Sequence, residues 1–298
     1  MKKRGLSLEV PFHLMLLPGV VLVFIFSYIP MFGIIIAFQT YYPTKGIMHS
    51  VWVGLDNFKY IFQLPNFGRV MWNTVFIATA KIVLNLIIPI ITALLLNEVR
   101  NRMFKRTVQT FIYLPYFLSW VILAGIMMDV LSLDGLVNQL LGKLNIDSIF
   151  FLGDNNWFPW TLIFSDTWKQ FGFDTIIFLA ALTGINPTLY EAAVLDGANR
   201  WKQTLYVTLP GMMPIVILMM TLSLGNVLNA GFDQVFNLYS APVLESGDII
   251  DTMIYRIGLQ NYQFSVSAAL GVFKSIVSFV LISVSYWFAY RFANYRIF

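Results

Sequence analysis

Long runs of apolar residues, separated by short polar segments, dominate the pattern of this chain. A helix needs roughly 20 consecutive apolar residues to cross the hydrocarbon core of a bilayer, and six stretches are long enough. These predicted spans lie at about 14–38, 70–96, 107–128, 158–183, 211–231 and 265–293. The pattern therefore predicts an all-α integral membrane protein whose six transmembrane helices form one domain, residues 1–298.

Composition supports this class of protein. The chain is 58% hydrophobic and only 11% charged, with a mean hydropathy of +0.73, whereas a soluble domain is about one quarter charged. It has no cysteine and two histidines, so we expect no disulfide and no metal site. The net charge of +4 fits attraction to an anionic inner leaflet better than nucleic-acid binding.

Lysine and arginine residues are divided unevenly between the loops. One side carries eleven: Lys2, Lys3, Arg4, Arg100, Arg102, Lys105, Arg106, Arg200, Lys202, Arg291 and Arg296. The other carries five: Lys45, Lys59, Arg69, Lys143 and Arg256. Because cytoplasmic loops are enriched in these residues, we expect both termini, and the segment at about 188–210, to be cytoplasmic.

That segment contains "YEAAVLDGANRWKQTLYVTLPG", an unusually polar stretch between two apolar runs. Pro187 suits the first turn of a helix, and Gly197 can adopt a positive φ at little cost. A second helix is expected at about 200–209, with Pro210 ending it. Such a rigid bend suits docking into a groove on another protein, although an amphipathic hairpin lying on lipid headgroups would look similar.

The same segment resembles the EAA loop of binding-protein-dependent ABC importer permeases, in which E-A-A is followed by D-G-A and L-P. The matching residues are Glu191, Ala192, Ala193, Asp196, Gly197, Ala198, Val207, Leu209 and Pro210. The family often has Phe where Leu205 stands here. The resemblance implies the type I importer permease fold and a coupling helix that seats in a cleft of a separate ATPase. Arg200 is expected to take part in that coupling.

The resemblance also implies partners. The chain has no GxxxxGK[ST] phosphate cradle, so we expect no cofactor in this chain, and ATP and Mg bound by the partner ATPase. Two ATPase subunits, an extracytoplasmic sugar-binding protein and a second homologous permease are implied, all at the bacterial cytoplasmic membrane. Because sugar-type systems usually use two different permeases, a heterodimer is expected. No nucleic acid is expected to bind.

Polar residues inside the spans are candidates for a substrate path, because burying them in a membrane is expensive. In sugar-type permeases of this family the cavity is lined from the helices before and after the EAA loop. The candidates are Trp168, Lys169, Gln170, Phe173, Asn226, Asn229 and Asp233. The last three are spaced to share one helical face, and Asp166, Gln170 and Asp174 form a second stripe. Alternatively, such residues join helices without contacting cargo.

Two further stretches narrow the expected substrate. "FIFSYIPMFGIIIAF" and "DIIDTMIYRIGLQNYQFSVSAALG" resemble the permease branch assigned to complex oligosaccharides or polysaccharide fragments. "YSAPVLESGD" stands where many maltose-type permeases carry a GGP-containing stretch. The resemblance implies import of such saccharides, and an anionic sugar is plausible if Lys169 or Lys274 faces the cavity.

The main alternative is an ion-coupled secondary transporter of a small polar solute. That class needs internal repeats and coupling carboxylates; no convincing repeat is present, but Asp166 and Asp174 keep the alternative open. The chain also lacks HExxH, GxSxG and DxDxDG motifs, so we do not expect it to be an enzyme.

Overall fold

The computed structural model describes residues 6–225 and 227–293 and is predominantly helical. In chain order the α-helices are α1 (Leu6–Val23), α2 (Ile29–Met31), α3 (Asp56–Gln63), α4 (Phe67–Glu98), α5 (Arg102–Tyr113), α6 (Trp120–Val130), α7 (Leu136–Lys143), α8 (Phe158–Thr183), α9 (Pro187–Leu195), α10 (Arg200–Gln203), α11 (Leu209–Gly225), α12 (Phe232–Leu238), α13 (Leu244–Gly247), α14 (Ile250–Tyr255) and α15 (Phe264–Ala293). Shorter π turns lie at Phe24–Tyr28, Thr204–Thr208 and Arg256–Gln260, and 3-10 turns at Phe32–Phe38, Leu114–Phe117 and Ala241–Val243. Two antiparallel strands, β1 (Gln39–Thr40) and β2 (Val51–Trp52), pair with Gln39 opposite Trp52.

Four helical stretches in the described part of the chain are long and apolar enough to cross a membrane. They are Pro11–Phe38, Phe67–Glu98, Arg200–Gly225 and Phe264–Trp287. Two bent pairs also qualify, Arg102–Phe117 with Trp120–Val130 and Phe158–Thr183 with Pro187–Leu195, so that up to six spans are present if each pair is one span.

The region of the third predicted span, 107–128, contains a bend of 105° between two helices. Pro115 lies in the 3-10 turn that ends the first helix, where its missing N–H opposes further helix. Leu118 is extended, and Ser119 caps α6 by accepting a hydrogen bond from the Ile122 N–H at 3.3 Å. The cap starts a new helix in a different direction. The apolar run continues through the bend, so hydropathy alone does not predict it.

The prediction that Pro210 ends the second helix of the EAA loop (residues 188–210) is wrong. One helical stretch runs from Arg200 to Gly225. Just before the proline, the π turn Thr204–Thr208 lets the Leu209 N–H bond to the Thr204 carbonyl. This wider turn accommodates a residue that lacks an N–H and crowds the preceding turn.

The fifth span ends earlier than the sequence pattern predicts, because α11 stops at Gly225. Residues 227–231 are not helical, and Asn226 lies outside the described residues. The predicted shared helical face is therefore wrong for the other two candidates. Asn229 lies in the non-helical segment, and Asp233 lies in the first turn of α12.

Two compact units can be distinguished. The first contains the chain up to Leu64 together with Ile254–Phe273. In it the Asn57 side-chain amide donates to the Ala37 and Gln39 carbonyls, both at 2.9 Å, which fastens α3 to the strand region.

The second unit contains Pro65–Met253 and the chain from Lys274 onward. In it α4 and α8 run in the same direction, since Lys81 lies beside Asp166 and Ala93 shares an apolar cluster with Phe178. One buried cluster forms around the beginnings of α4 and α8 and includes Ile77, Phe158, Leu162 and Leu228. A second forms near their ends from Ala93, Phe178, Leu182, Ile185 and Met212. The stretch between these clusters carries the polar residues.

Gly172 provides a test of the packing in the second unit. A Cβ at this position in α8 would lie 1.9 Å from the Ile112 carbonyl oxygen of α5, so Gly172→Ala forces the two helices apart. We expect a destabilisation of about 1–3 kcal/mol, measured as a lower thermal midpoint in detergent. Gly125→Ala is the matched control, because a Cβ there meets nothing within 4 Å. Equal midpoints for the two variants would contradict this packing.

Candidate functional site

A cavity of about 350 Å³ lies between α4, α8, α11 and the non-helical segment 227–231. Its polar lining consists of Lys81, Asn85, Asp166, Gln170, Asp174, Ser223 and Asn229. Its apolar lining includes Ile82, Leu86, Trp120, Phe178 and Met219. We call it the polar cavity.

Lys81 is the most connected of these side chains, and it is 7% exposed. Its Nζ donates to the Ala230 carbonyl at 2.6 Å and to Gln234 Oε1, and it lies 3.7 Å from Asp166 Oδ1. Three oxygen atoms thus surround a group that carries three N–H donors. A buried ammonium requires such partners, because leaving it unpaired is strongly unfavourable.

The partners of Lys81 are themselves fixed. Asn85 Nδ2 donates to Asp166 Oδ2 at 3.1 Å. Gln234 Nε2 donates to the Leu162 carbonyl and to Ser165 Oγ, both at 2.7 Å. The network therefore joins α4, α8 and α12 around one end of the polar cavity.

Gly231 allows the non-helical segment to turn and to lie close to the Lys81 side chain. Its φ is +96°, a conformation that side chains with a Cβ rarely adopt. An added Cβ would also lie 3.0 Å from Lys81 Nζ. Both the turn and the close approach of the lysine therefore favour glycine.

A second lysine, which lies in the sixth span, forms a hydrogen bond to the same non-helical segment. Lys274 Nζ in α15 donates to Asn229 Oδ1 at 2.6 Å and to Asp251 Oδ1 at 2.5 Å. The Lys274 and Asp251 side chains are 16% and 19% exposed. Non-helical backbone at membrane depth is tolerated where protein groups satisfy it or where it lines a cavity, and both conditions hold here.

Two of the predicted substrate-path residues, Gln170 and Asn229, line the polar cavity. Lys169 does not: its Nζ donates to the Tyr116 carbonyl at 2.7 Å and lies over the Tyr116 and Trp120 rings, at 5.3 and 5.8 Å from their centroids. Phe173 is stacked on Tyr116, with ring centroids 4.0 Å apart. These residues fasten α8 to the α5–α6 bend.

The remaining candidates lie elsewhere. Trp168 is 46% exposed and borders an apolar groove with Trp157 and Trp160, as expected of a lipid-facing surface. Asp233 is exposed in α12. The amides of Asn85 and Gln234 and the role of Lys81 were not predicted. The available signal was a lysine inside an apolar span, which by default marks a functional site.

The EAA loop forms a hairpin whose first arm is α9, bent by 69° from α8. Asn186 caps α9, since its Oδ1 accepts from the Thr188 N–H at 3.0 Å, and Pro187 fills the first helical position. Pro187 therefore takes the first-turn place that the sequence predicts, and the Asn186 cap, which was not predicted, adds a second start signal.

The turn of the hairpin is closed by backbone hydrogen bonds. Gly197 has φ +73°, and its N–H bonds to the Val194 carbonyl at 3.0 Å. The Ala198 N–H bonds to the Ala193 carbonyl at 2.8 Å, which completes a Schellman motif. Asn199 then caps the second arm, where its Oδ1 accepts from the Lys202 N–H at 2.9 Å. Each of these hydrogen bonds joins residues no more than five positions apart.

The outer surface of the hairpin is accessible. Its exposed residues include Glu191, Ala192, Val194, Leu195, Asp196 and Gly197, whereas Ala193 and Ala198 are half-buried. Within the described part of the chain, the Glu191 carboxylate has no ion-pair partner. Arg200 instead forms an ion pair with Glu98 at the end of α4. Pro210 lies inside the continuous helix and is exposed.

Comparison with known proteins identifies relatives of the whole chain. Residues 85–294 match the family described as binding-protein-dependent transport system inner membrane component. The chain is 41% identical over 283 residues to the polygalacturonan/rhamnogalacturonan transport system permease protein YteP of Bacillus subtilis (strain 168), which covers 95% of this chain and 88% of that protein. It is 40% identical over 281 residues to protein LplB of the same organism, with coverage of 94% and 88%.

Solved structures give the same result for the fold. One similar chain belongs to a bacterial ABC transporter involved in the import of the acidic polysaccharide alginate, with a TM-score of 0.89, 36% identity and coverage of 97% and 98%. Another belongs to a bacterial alginate ABC transporter in complex with an alginate pentasaccharide-bound periplasmic protein, with a TM-score of 0.90, 34% identity and coverage of 99% of each chain.

The Lys81 network predicts a specific dependence on charge balance. Lys81→Met leaves the Asp166 carboxylate buried without its cation, and we expect a loss of about 3 kcal/mol or more in stability. The double variant Lys81→Met with Asp166→Asn removes both charges and is expected to be more stable than Lys81→Met alone. Thermal midpoints in detergent measure both effects.

Lys59→Met is the control, because Lys59 pairs with Asp56 on an exposed surface where such pairs contribute little. A double variant less stable than Lys81→Met would contradict the charge-balance account.

Proposed function

Because the chain belongs to the family of binding-protein-dependent transport system inner membrane components, it is a multi-pass membrane permease subunit rather than an enzyme, and we propose that it forms part of the translocation path for an oligosaccharide or polysaccharide fragment. Its fold is that of a type I ABC importer permease. The observation that carries the substrate proposal is the polar cavity inside this fold. One relative is a polygalacturonan/rhamnogalacturonan transport system permease protein. One structural neighbour belongs to a transporter involved in the import of the acidic polysaccharide alginate.

The cavity has suitable chemistry for a saccharide. Gln170, Asn85 and Asn229 present amides, and Asp174 presents a carboxylate, which can exchange hydrogen bonds with sugar hydroxyls. Trp120 supplies an aromatic surface in the same wall. A volume of about 350 Å³ lies within the range of roughly 300–1,000 Å³ for small-molecule sites, so this subunit would accommodate part of an oligosaccharide.

The hairpin of the EAA loop is the proposed contact with a separate ATPase. It offers Glu191, Asp196 and an exposed apolar surface that includes Leu195, which is 88% exposed. A preformed helix of this kind can seat in a groove of another protein. ATP and Mg would be bound by that partner, and movement would enter this chain through α9.

The proposed assembly contains this chain, a second homologous permease as a heterodimer partner, two ATPase subunits and an extracytoplasmic saccharide-binding protein. Dependence on a binding protein follows from the family. The heterodimer and the ATPase pair rest on the resemblance of the EAA loop. Purification of the complex from its host, followed by identification of the saccharide bound to its receptor, tests the assembly and the cargo together.

The alternative is an ion-coupled transporter of a small polar solute. It would need the carboxylates of the fourth span, Asp166 and Asp174, as coupling groups. Asp166 is occupied by Lys81 and Asn85. Asp174 lines the cavity. Uptake that persists in vesicles without the ATPase and responds to a proton gradient would support this alternative.

Gly197→Asp is expected to abolish most ATP-dependent import. A non-glycine residue at φ +73° is strained by roughly 1–2 kcal/mol, and the new carboxylate lies in the exposed turn that faces the ATPase in our proposal. Import into proteoliposomes and co-purification of the ATPase measure the effect.

Gly46→Asp is the matched control for this experiment. Gly46 has φ +70° and, like Gly197, nothing within 4 Å of its added Cβ, but it lies outside the EAA loop. Normal import by Gly197→Asp, or an equal defect in Gly46→Asp, would contradict docking through the hairpin.

Gln170→Ala tests the substrate path. Loss of one hydrogen bond from the cavity wall should raise the KM for saccharide import by about fivefold, with ATPase co-purification unchanged. Trp168→Ala, two positions away but on the apolar groove, should leave the KM unchanged. A KM that moves with Trp168 and not with Gln170 would place the path elsewhere.

A further inference from the structure

The two arms of the EAA hairpin are joined by a side-chain hydrogen bond, which lies away from the outer surface. The hydroxyl of Tyr190 in α9 lies 3.0 Å from Thr208 Oγ1 in the second arm. Thr208 is 5% exposed, and its Oγ1 donates to the Gln203 carbonyl at 3.3 Å. Either hydroxyl can donate in the bond between Tyr190 and Thr208; when the single Thr208 hydrogen is directed at Gln203, Tyr190 is the donor.

Thr208 occupies a special place in its helix. It is the last residue of the π turn Thr204–Thr208, two positions before Pro210. Such turns and prolines weaken the backbone hydrogen-bond ladder of a helix. The Thr208 hydroxyl braces this turn internally through Gln203 and externally through Tyr190, so that the point where the helix is weakest is also the point where α9 is attached.

Packing supports the same attachment. Tyr190 and Val207 pack on the buried cluster that contains Ile185 and Met212. A Cβ at Gly211 would lie 2.9 Å from an Ile185 side-chain atom, which shows how closely the end of the fourth span approaches the second arm. The Tyr190 side chain therefore fills the inside of the hairpin, while Glu191 next to it is exposed.

The attached helix continues to the polar cavity. The stretch Arg200–Gly225 is one helix, and Met219 and Ser223 on it line the cavity. Thr208 and Ser223 are 15 residues apart, or about 22 Å along a helix. A displacement applied to α9 would thus be delivered through Tyr190 to one continuous helix that reaches the cavity wall.

We propose that Tyr190 and Thr208 are positioning residues that make α9 and the fifth span move as one unit, so that docking of the ATPase is transmitted to the cavity. This inference rests on the proposed docking of the EAA loop. It assigns transmission to a hydroxyl pair on the inner side of the hairpin, distinct from the exposed residues that would contact the ATPase.

The test uses the full complex of this chain with its second permease, ATPase and receptor. The chain has no native cysteine, so spin labels at Leu195→Cys in α9 and Met213→Cys in α11 report one distance. With the hydroxyl pair intact, we expect one narrow distance distribution, identical in the presence of ATP and of ADP. In Tyr190→Phe or Thr208→Val the distribution should broaden and differ between the nucleotides, because the two arms then move separately.

Function is measured on the same samples. Receptor-stimulated ATP hydrolysis should fall by about fivefold in Tyr190→Phe, as expected for the loss of one hydrogen bond. It should fall by at least as much in Thr208→Val, which also loses the bond to Gln203, while basal hydrolysis stays unchanged in both. The double variant should be no worse than Thr208→Val alone, because Thr208→Val already removes the bond to Tyr190. Thr208→Ser, which keeps the hydroxyl, should restore both readouts.

Tyr206→Phe is the matched control. It removes a tyrosine hydroxyl from the same π turn, but Tyr206 is 76% exposed. Unchanged distances and unchanged stimulation in Tyr190→Phe would overturn the inference. A separate measurement, crosslinking from Ala193→Cys to the ATPase in otherwise native complex, distinguishes the two proposals: absence of that crosslink overturns the docking itself, whereas its presence with an unaffected Tyr190→Phe overturns only the role of the hydroxyl pair.

Discussion

The interaction on which the second unit depends is the pairing of the Lys81 ammonium with the backbone of a broken helix. Hydrocarbon offers no hydrogen bonds, so an unwound segment and a buried cation are each unfavourable at membrane depth. In this protein each satisfies the other, because the Ala230 carbonyl accepts from Lys81 at 2.6 Å. If residues 227–231 were helical, that carbonyl would be used within the helix. The lysine would then retain only its side-chain partners, Asp166 and Gln234.

The same constraint bears on the proposed mechanical link between the cavity and the hairpin. The break after Gly225 places the end of the fifth span at the cavity, and the other end of that span is the hairpin. A kink at Pro210 would have divided this element. The π turn before the proline preserves its continuity and presents Thr208 toward Tyr190. One irregular turn therefore serves both the helix and its connection to α9.

The sequence predicts the features that local residues determine. The bounds of α8 and the turn at Gly197 depend on apolar run length, caps and a glycine, all of which lie within a few residues of the element. The end of α11 was not predictable in this way, because "GNVLNAGF" is apolar enough to continue a span. The segment that follows it is held by Lys81, which bonds to the carbonyl of Ala230, 149 residues along the chain. The bend before α6 depends on a serine cap within an apolar run, which hydropathy does not register.

The same contrast between what local spacing predicts and what it misses applies to the candidate site. Successive residues of a helix are rotated by about 100°, so Asp166, Gln170 and Asp174 share a face and all line the cavity. Trp168 points about 160° away from Gln170 on this reckoning and Lys169 about 100° away, and neither lines it. Spacing within one helix was therefore informative, whereas proximity along the chain was not. Asn85 comes from another helix, and no spacing rule connects it to α8.

Charge pairing then limits how this subunit can recognise cargo. Lys81 is paired with Asp166, and Lys274 with Asp251. Lys169, which does not line the cavity, is held by the Tyr116 carbonyl and lies over the Tyr116 and Trp120 rings. Among the described residues, Asp174 lines the cavity without an ion pair. If the cavity binds a saccharide as proposed, recognition in this wall would therefore work through hydrogen bonds to hydroxyls. An acidic saccharide that drew Lys274 from Asp251 would also compete with the hydrogen bond from Lys274 to Asn229.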